Sequence, residues 1–159
     1  MKVTEMEFPA LFEKYKTTVY SVAFHYVRNC EDAADIEQDV FLKLLSGGTE
    51  YESEEHMKAW LIRVSINLCK NHLRKRSHLS DEELSDNLPA KETEEQRDLF
   101  NIVLHLPEKY RIPIHLFYYE EYSVKQIASV MNLPEATVKV RLKRGRDKLG
   151  KLLQKEEWM

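Results

Sequence analysis

Apolar side chains recur along this chain at steps of three and four residues, and this spacing constrains its fold more than any other feature. In the first such segment they are Phe8, Leu11, Phe12, Tyr15, Val19, Val22 and Tyr26. In the second, from about Asp32 to Leu45, they are Ala33, Ile36, Val40 and Leu44, and Gly47 and Gly48 are expected to end it. Because this is the period of an amphipathic helix, and because no segment alternates with a period of two, the chain is predicted to be all-α.

A polar stretch divides the chain into two helical halves. Residues 79–98 contain few large apolar side chains and no sustained helical period, which is typical of a solvated, flexible linker. With 159 residues, of which 43% are hydrophobic, the chain is long and apolar enough for two small domains. We therefore predict helical domains at residues 1–78 and 99–159, joined by an acidic linker at residues 79–98.

The last third of the chain has the pattern of a helix-turn-helix. Ser123 and Gln126 have the spacing of a capping box, in which each side chain accepts a hydrogen bond from the backbone N–H of the other. The short helix that follows is predicted to end near Met131 and Asn132, because asparagine tolerates the left-handed conformation of a tight turn. Pro134 is acceptable in the first turn of the next helix. Together these residues predict a short helix, a tight turn and a second helix.

The second helix of this motif has an apolar face and a basic face. Val138, Leu142, Gly145, Leu149 and Leu152 share one side. Ala136, Lys139, Val140, Lys143 and Arg144 share the other. Such a helix, supported by a shorter helix across it, has the shape that enters the major groove of DNA. The plainer interpretation is a solvated basic face, but the cap, the turn and the charge all agree with DNA binding.

Another helix, predicted from His56 to Arg76, places an aromatic ring among cations. At about 100° per residue, one stripe contains Trp60, Arg63, Asn67, Lys70, Asn71 and Arg74. A flat ring beside phosphate-binding groups is most useful where DNA strands have separated, because unpaired bases need a new stacking surface. The alternative places Trp60 at the border of the apolar face, beside Val64, as an ordinary core residue.

Charge alternates in blocks along the chain, although its net value is only −3. Residues 31–55 hold nine acids and one lysine, whereas residues 56–76 hold six bases and no acid. Residues 80–98 hold eight acids and two bases, and residues 107–155 hold eleven bases and five acids. Because a phosphate backbone responds to the local field within about 8 Å at physiological salt, the two basic blocks favour a nucleic-acid partner.

Other functional classes find little support in the sequence. No apolar run approaches the ~18 residues of a membrane span and no secretory signal follows Met1, so a cytoplasmic location is expected. Cys30 and Cys69 stand far apart, which favours reduced thiols, and Cys69 with His72 makes only half of a zinc-ligand pattern. No catalytic motif or phosphate-binding loop is present. We therefore expect no metal, no cofactor, no small-molecule substrate and no enzymatic activity.

Three stretches, in this order, carry a resemblance to one family. They are DAADIEQDVFLKLL, WLIRVSINLCKNHLRKR and, after the linker, LPEKYRIPIHLFYYEEYSVKQIASVMNLPEATVKVRLKRGRDKL. Over almost its whole length the chain resembles the bacterial sigma factors of the extracytoplasmic-function group. The resemblance implies a sigma-two-like helical bundle and a sigma-four-like helix-turn-helix, which bind core RNA polymerase, direct it to promoter DNA and help to open it. It also implies an anti-sigma factor as a partner.

The resemblance assigns a task to each polar stripe. In the family, a helix with the pattern D-x-x-Q-[DE]-x-F docks on the clamp helices of the largest polymerase subunit, and the corresponding outward residues here are Asp35, Gln38, Asp39 and Leu42. The stripe that contains Trp60, with the loop before it, resembles the element that reads and melts the minus-ten region. The basic helix resembles the reader of the minus-thirty-five element, through Ala136, Thr137, Lys139, Val140, Arg141, Lys143 and Arg144.

The chain departs from the family pattern at several positions. Gln126 stands where the family usually has an acid, Pro134 stands where it often has serine, and Val140 and Lys143 also differ. The promoter sequence that is read is therefore expected to differ from that of better-known members. Two other classes remain open at this point. A stand-alone helix-turn-helix regulator leaves the two polar stripes of the first domain unexplained, and a helical enzyme lacks any catalytic motif.

Overall fold

A computed structural model describes residues 2–75 and 101–157 of the chain. All regular secondary structure in these two ranges is helical, without any strand, so the predicted all-α class is confirmed. The described residues form two compact units, one within residues 2–75 and the other within residues 101–157. The predicted linker at residues 79–98 and both predicted domain boundaries lie outside the described residues, and they stay predictions.

The first unit contains three mutually packed helices, which are α1 (Phe8–Val27), α2 (Cys30–Ser46) and α3 (Glu54–Lys75). Arg28 adopts the left-handed conformation, with φ of 54°, and ends α1. The side chain of Asn29 then accepts a hydrogen bond from the backbone N–H of Asp32 at 3.0 Å. Because this cap satisfies a free backbone donor, α2 begins at Cys30, two residues before the predicted start.

Two caps also fix the loop between α2 and α3. Gly47, with φ of 75°, ends α2 as predicted. Ser53 begins α3, because its carbonyl accepts from the N–H of Met57 and its hydroxyl accepts from the N–H of His56, both at 3.1 Å. The helix therefore starts at Glu54 rather than at His56, where the sequence analysis placed it.

The predicted apolar stripes of α1 and α2 form much of the core of this unit. The buried members are Leu11, Tyr15, Val19, Val22 and Tyr26 from α1, with Ala33, Ile36, Val40 and Leu44 from α2. Phe8 and Phe12, which the spacing also assigns to the core, are only half-buried. Phe12 meets Phe41 edge-on at the rim of the unit, with 4.9 Å between ring centroids. The beginning of α1 thus leaves part of an aromatic cluster open to solvent.

The second unit holds helical residues 101–104 and three further helices, α4 (Glu108–Tyr118), α5 (Val124–Met131) and α6 (Glu135–Glu157). The predicted capping box is confirmed: Ser123 Oγ accepts from Gln126 N–H at 3.1 Å, and Gln126 Oε1 accepts from Ser123 N–H at 2.8 Å. Asn132, with φ of 56°, ends α5 as predicted. Pro134 lies just before α6 rather than in its first turn, because its carbonyl accepts the N–H of Val138. The predicted helix-turn-helix is therefore α5 and α6.

α4 crosses α6 at a glycine, which lets the two helices approach closely. A Cβ atom on Gly145 would lie 2.9 Å from Ile114 Cγ1 and 3.3 Å from Tyr110 Cβ. A Cβ atom on Gly150, in the same helix, would have no atom within 4 Å. Gly145 is therefore tightly packed and Gly150 is not. Both destabilise the helix interior, because glycine loses more conformational freedom on folding than other residues do.

This difference predicts opposite effects of the same substitution. Gly150→Ala should raise the free energy of unfolding by about 0.5–1 kcal/mol, since alanine favours helix at an open position. Gly145→Ala gains the same helix propensity, but the new methyl group forces Ile114 to move. Such overpacking lowers the free energy of unfolding by about 1–3 kcal/mol. We expect a net loss of about 1 kcal/mol. Urea denaturation followed by circular dichroism measures both, and equal stabilisation by the two variants would contradict the close approach at Gly145.

Candidate functional site

The predicted stripe on α3 forms a polar surface that is open to solvent. Its exposed members are Arg63, Asn67, Lys70, Asn71 and Arg74. The opposite side of the helix is buried and contains Met57, Leu61, Ile62, Ser65, Ile66 and Cys69. Arg74 donates a hydrogen bond to the side-chain oxygen of Asn71, which orients that amide within the stripe. The helix therefore presents cations and amides outwards while its other face holds the core together.

Trp60 lies at the border between this stripe and the core. Its side chain is half-buried, as is that of Val64 on the same side. The ring of Tyr51, which is only 3% exposed, meets the indole edge-on, with 5.6 Å between ring centroids. The indole therefore contacts Tyr51 on one side and remains partly accessible to solvent.

Contacts among Tyr51, Glu52 and His56 hold the loop before α3. The backbone N–H of Glu52 donates to His56 Nδ1 at 2.9 Å. The His56 ring also meets Tyr51 edge-on, with 5.9 Å between centroids. Burial raises the pKa of Tyr51 above its ordinary value. The one signal in the sequence is an aromatic residue in an otherwise polar loop, and it could have identified Tyr51 as an anchor.

The outward face of α2 carries the four residues predicted to bind polymerase. Asp35, Gln38, Asp39 and Leu42 are all exposed, on the side away from the buried stripe. Leu42 is 54% exposed and Leu45, which the sequence analysis does not single out, is 43% exposed. Both leucines line an open groove of about 300 Å³ together with the rings of Phe8, Phe12 and Phe41. This face combines exposed apolar side chains with carboxylates, a composition that suits a protein interface.

The basic face of α6 is mostly exposed. Of the seven residues predicted to contact DNA, the exposed ones are Ala136, Lys139, Val140, Lys143 and Arg144. Thr137 and Arg141 are half-buried along the edge of this face. On the apolar side Val138, Leu142 and Gly145 are buried. Leu149 and Leu152, which were predicted on the same side, are only half-buried, and Leu152 lines an open groove beside Pro107.

The cysteines and acidic side chains do not form a metal site in the described part of the chain. Within residues 2–75 and 101–157, no group of three or more His, Cys, Asp or Glu side chains is placed to hold a metal ion. Neither Cys30 nor Cys69 is in a disulfide bond, and Cys69 is buried. Among the helices of these two ranges, none is long and apolar enough to cross a membrane.

Comparison with known proteins identifies the same two units. Residues 11–79 match the family model for Sigma-70 region 2, and residues 96–149 match that for Sigma-70 region 4. The ECF RNA polymerase sigma factor SigW of Bacillus subtilis (strain 168) is 28% identical over 92% of this chain and 89% of its own length. The RNA polymerase sigma factor SigV of the same strain is 30% identical over 90% of this chain and 89% of its own length.

Two solved structures share the fold. The sigma factor RpoE from Bartonella quintana, in a co-crystal with the anti-sigma factor NepR, has a TM-score of 0.77 at 21% identity, covering 93% of this chain and 97% of its own. CnrH, in complex with the cytosolic domain of CnrY, has a TM-score of 0.66 at 21% identity, covering 95% of this chain and 90% of its own. Since both region models match in order and a relative at 30% identity spans 90% of the sequence, the chain belongs to the sigma-70 family of RNA polymerase sigma factors, in its extracytoplasmic-function group.

Proposed function

We propose that this sigma factor divides promoter recognition between its two units. The α3 face engages the minus-ten region, the α6 face reads the minus-thirty-five element, and α2 docks on core RNA polymerase. Sigma factors direct core RNA polymerase to promoters, and this chain, as a member of the family, does the same. The observation that carries the division of tasks is that α3 and α6 each bury one face and expose a cationic one.

The exposed face of α3 supports a role in DNA melting. Trp60 keeps part of its ring accessible, and base–aromatic stacking becomes available only after the strands part. Asn67 and Asn71 lie one turn apart on the same face, and amide side chains can pair with the Watson–Crick edge of an unstacked base. The neighbouring cations of the stripe attract the phosphates of the separated strand. Melting by this surface therefore needs both the ring and the amides.

The exposed face of α6 supports base reading in the major groove. Lys143 and Arg144 are the candidates for contacts to base edges, because both are exposed and long enough to reach guanine acceptors. Val140, which is 45% exposed at the centre of the face, suits contact with a thymine methyl group. Lys139 and Arg141 lie on either side of this centre and are candidates for phosphate contacts.

Two arginines on α6 offer a matched test of this assignment. Arg144→Ala should cost about 1–3 kcal/mol of binding on the cognate minus-thirty-five sequence and should flatten discrimination at one base pair. Arg141→Ala should weaken binding to all sequences by a similar factor, because Arg141 is half-buried at the edge of the face. It should also lower the salt slope, the dependence of log affinity on log salt concentration, by about one unit. Selection of a randomised promoter library by each holoenzyme, with binding titrated against salt, measures both quantities.

Two outcomes of this library experiment would contradict the proposed function. Unaltered base preferences with Arg144→Ala would remove Arg144 from the base-reading set. A wild-type chain that binds the library with core polymerase absent and does not associate with core would instead indicate a stand-alone helix-turn-helix regulator.

We also propose an anti-sigma factor as a partner. RpoE and CnrH, whose folds this chain shares, were solved in complex with an anti-sigma factor and with a cytosolic partner domain respectively. The exposed leucines and carboxylates of α2 would serve a competing inhibitor as well as polymerase. The products of adjacent genes are the candidates to test. An anti-sigma factor would displace the chain from core polymerase in a competition assay, and a neighbour that leaves the holoenzyme intact is not one.

A further inference from the structure

A groove of about 400 Å³ lies between the first turn of α4 and the basic face of α6. α4 contributes Lys109 and Tyr110, and α6 contributes Thr137, Val140, Arg141 and Arg144. Of these residues, only those of α6 belong to the helix-turn-helix that the proposed function uses. Lys109 and Tyr110 come from a helix outside that motif and have no role in the proposed function.

The groove concentrates positive charge around a single phenol. Lys109, Arg141 and Arg144 all line it together with Tyr110, whose side chain is 6% exposed, and the phenol interacts with Lys109 and Arg144. Lys109 Nζ lies 5.1 Å from the centroid of the Tyr110 ring, and Lys148 Nζ lies 5.8 Å from it.

The surrounding cations lower the pKa of the Tyr110 phenol. Burial raises the pKa of Tyr110, but hydrogen bonds and the positive charges of Lys109 and Arg144 outweigh it, so the pKa lies below its ordinary value. Glu108 and Glu135 begin the two helices, yet neither lines the groove. Among the described residues, the groove lining is therefore basic and neutral, without an acid. An anion is the ligand that this combination favours.

We propose that this groove binds one phosphate of the DNA backbone beside the minus-thirty-five element, held by Lys109 from α4, Arg141 from α6 and the hydroxyl of Tyr110. The proposal rests on the proposed function, in which α6 lies in the major groove. A helix in that groove is flanked by both backbones, so a cation on an adjacent helix can reach a phosphate while α6 reads the bases. The phosphate contact positions α6 on the duplex without carrying sequence information, while Arg144, which also lines the groove, contacts the bases.

The first test compares two lysines of the second unit in the full chain bound to core polymerase. Lys109→Ala should weaken binding to cognate and scrambled minus-thirty-five DNA by the same factor, roughly three- to tenfold, and should lower the salt slope by about one unit. Lys151→Ala removes the same charge from an exposed position of α6 outside this groove and should change neither quantity appreciably. If the two variants weaken DNA binding equally, the effect comes from the overall positive charge of the unit and the proposed phosphate site is wrong.

The second test locates the phosphate. Each backbone phosphate around the minus-thirty-five element is replaced in turn by an uncharged methylphosphonate, and holoenzyme binding is measured. At one phosphate, the methylphosphonate should lower the affinity of the wild-type holoenzyme but should not lower that of the Lys109→Ala holoenzyme any further. Tyr110→Phe should show a smaller version of the same coupling. Additive effects of Lys109→Ala at every phosphate would overturn the proposal. If the wild-type holoenzyme does not distinguish cognate from scrambled DNA at all, the proposed function fails instead, so the two failures are distinguishable.

Discussion

Asp39→Arg should abolish co-purification of the chain with core RNA polymerase while leaving its helical circular dichroism signal unchanged. Asp39 is exposed on α2, on the side away from the buried Ile36 and Val40, so its replacement disturbs no core packing. If this face docks on polymerase, reversal of the Asp39 charge sets like charges against each other, which costs several kcal/mol. Co-purification with tagged core polymerase measures the loss.

The matched control reverses a charge elsewhere on the same unit. Glu13 is exposed on α1 and pairs with Lys16 of its own helix, at 2.9 Å. Glu13→Arg should therefore bind core polymerase normally, because exposed pairs of this kind contribute little to stability. Normal binding by Asp39→Arg would remove this face from the polymerase interface. Loss of binding by both variants would show that net charge, not the α2 face, is responsible.

Trp60→Leu should slow the formation of open complexes while leaving binding to closed promoter DNA nearly intact. Stacking on an unpaired base contributes about 1–3 kcal/mol once the strands part, and leucine keeps the apolar contact with Tyr51 without offering a flat ring. Trp60→Tyr keeps such a ring and should retain most of the rate. Permanganate footprinting of melted thymines against time, in the two holoenzymes, gives both rates.

Promoter DNA that is already melted, combined with thermal denaturation of the variants, separates the stacking role of Trp60 from a structural one. A pre-melted promoter should rescue little of the Trp60→Leu defect, because the stacking surface is still missing after strand separation. Thermal denaturation supplies the second readout. If both variants lose activity in proportion to a lower melting temperature of the protein, Trp60 acts as a core residue and the stacking role is wrong.

The sequence predicts the helices and their buried stripes because helical period and caps are local properties. Ala33, Ile36, Val40 and Leu44 are all buried as the spacing predicts. The capping box and the left-handed Asn132 follow from a handful of adjacent residues. Local spacing also separates the outward Asp39 and Leu42 of α2 from its core. The faces that carry the proposed roles can therefore be predicted from residue spacing alone.

The errors arise where burial depends on neighbours distant in the chain. Phe8 and Phe12 fit the helical period, but they lie at the rim of the first unit and stay half-buried. The partial exposure of Trp60 depends on Tyr51, whose burial in a polar loop has no periodic signal. Lys109 faces the basic side of α6 only because α4 crosses it, and no spacing in the sequence reports that crossing.

The central claim, that this chain directs core RNA polymerase to promoters read by both of its units, is tested most directly by transcription in vitro. Purified core polymerase is incubated with genomic DNA, with and without the chain, and the 5′ ends of the transcripts are mapped. If the claim is right, defined start sites appear only when the chain is present, each is preceded by two shared sequence elements, and Arg144→Ala alters the preference for the upstream element. The same scattered start sites with and without the chain would contradict it.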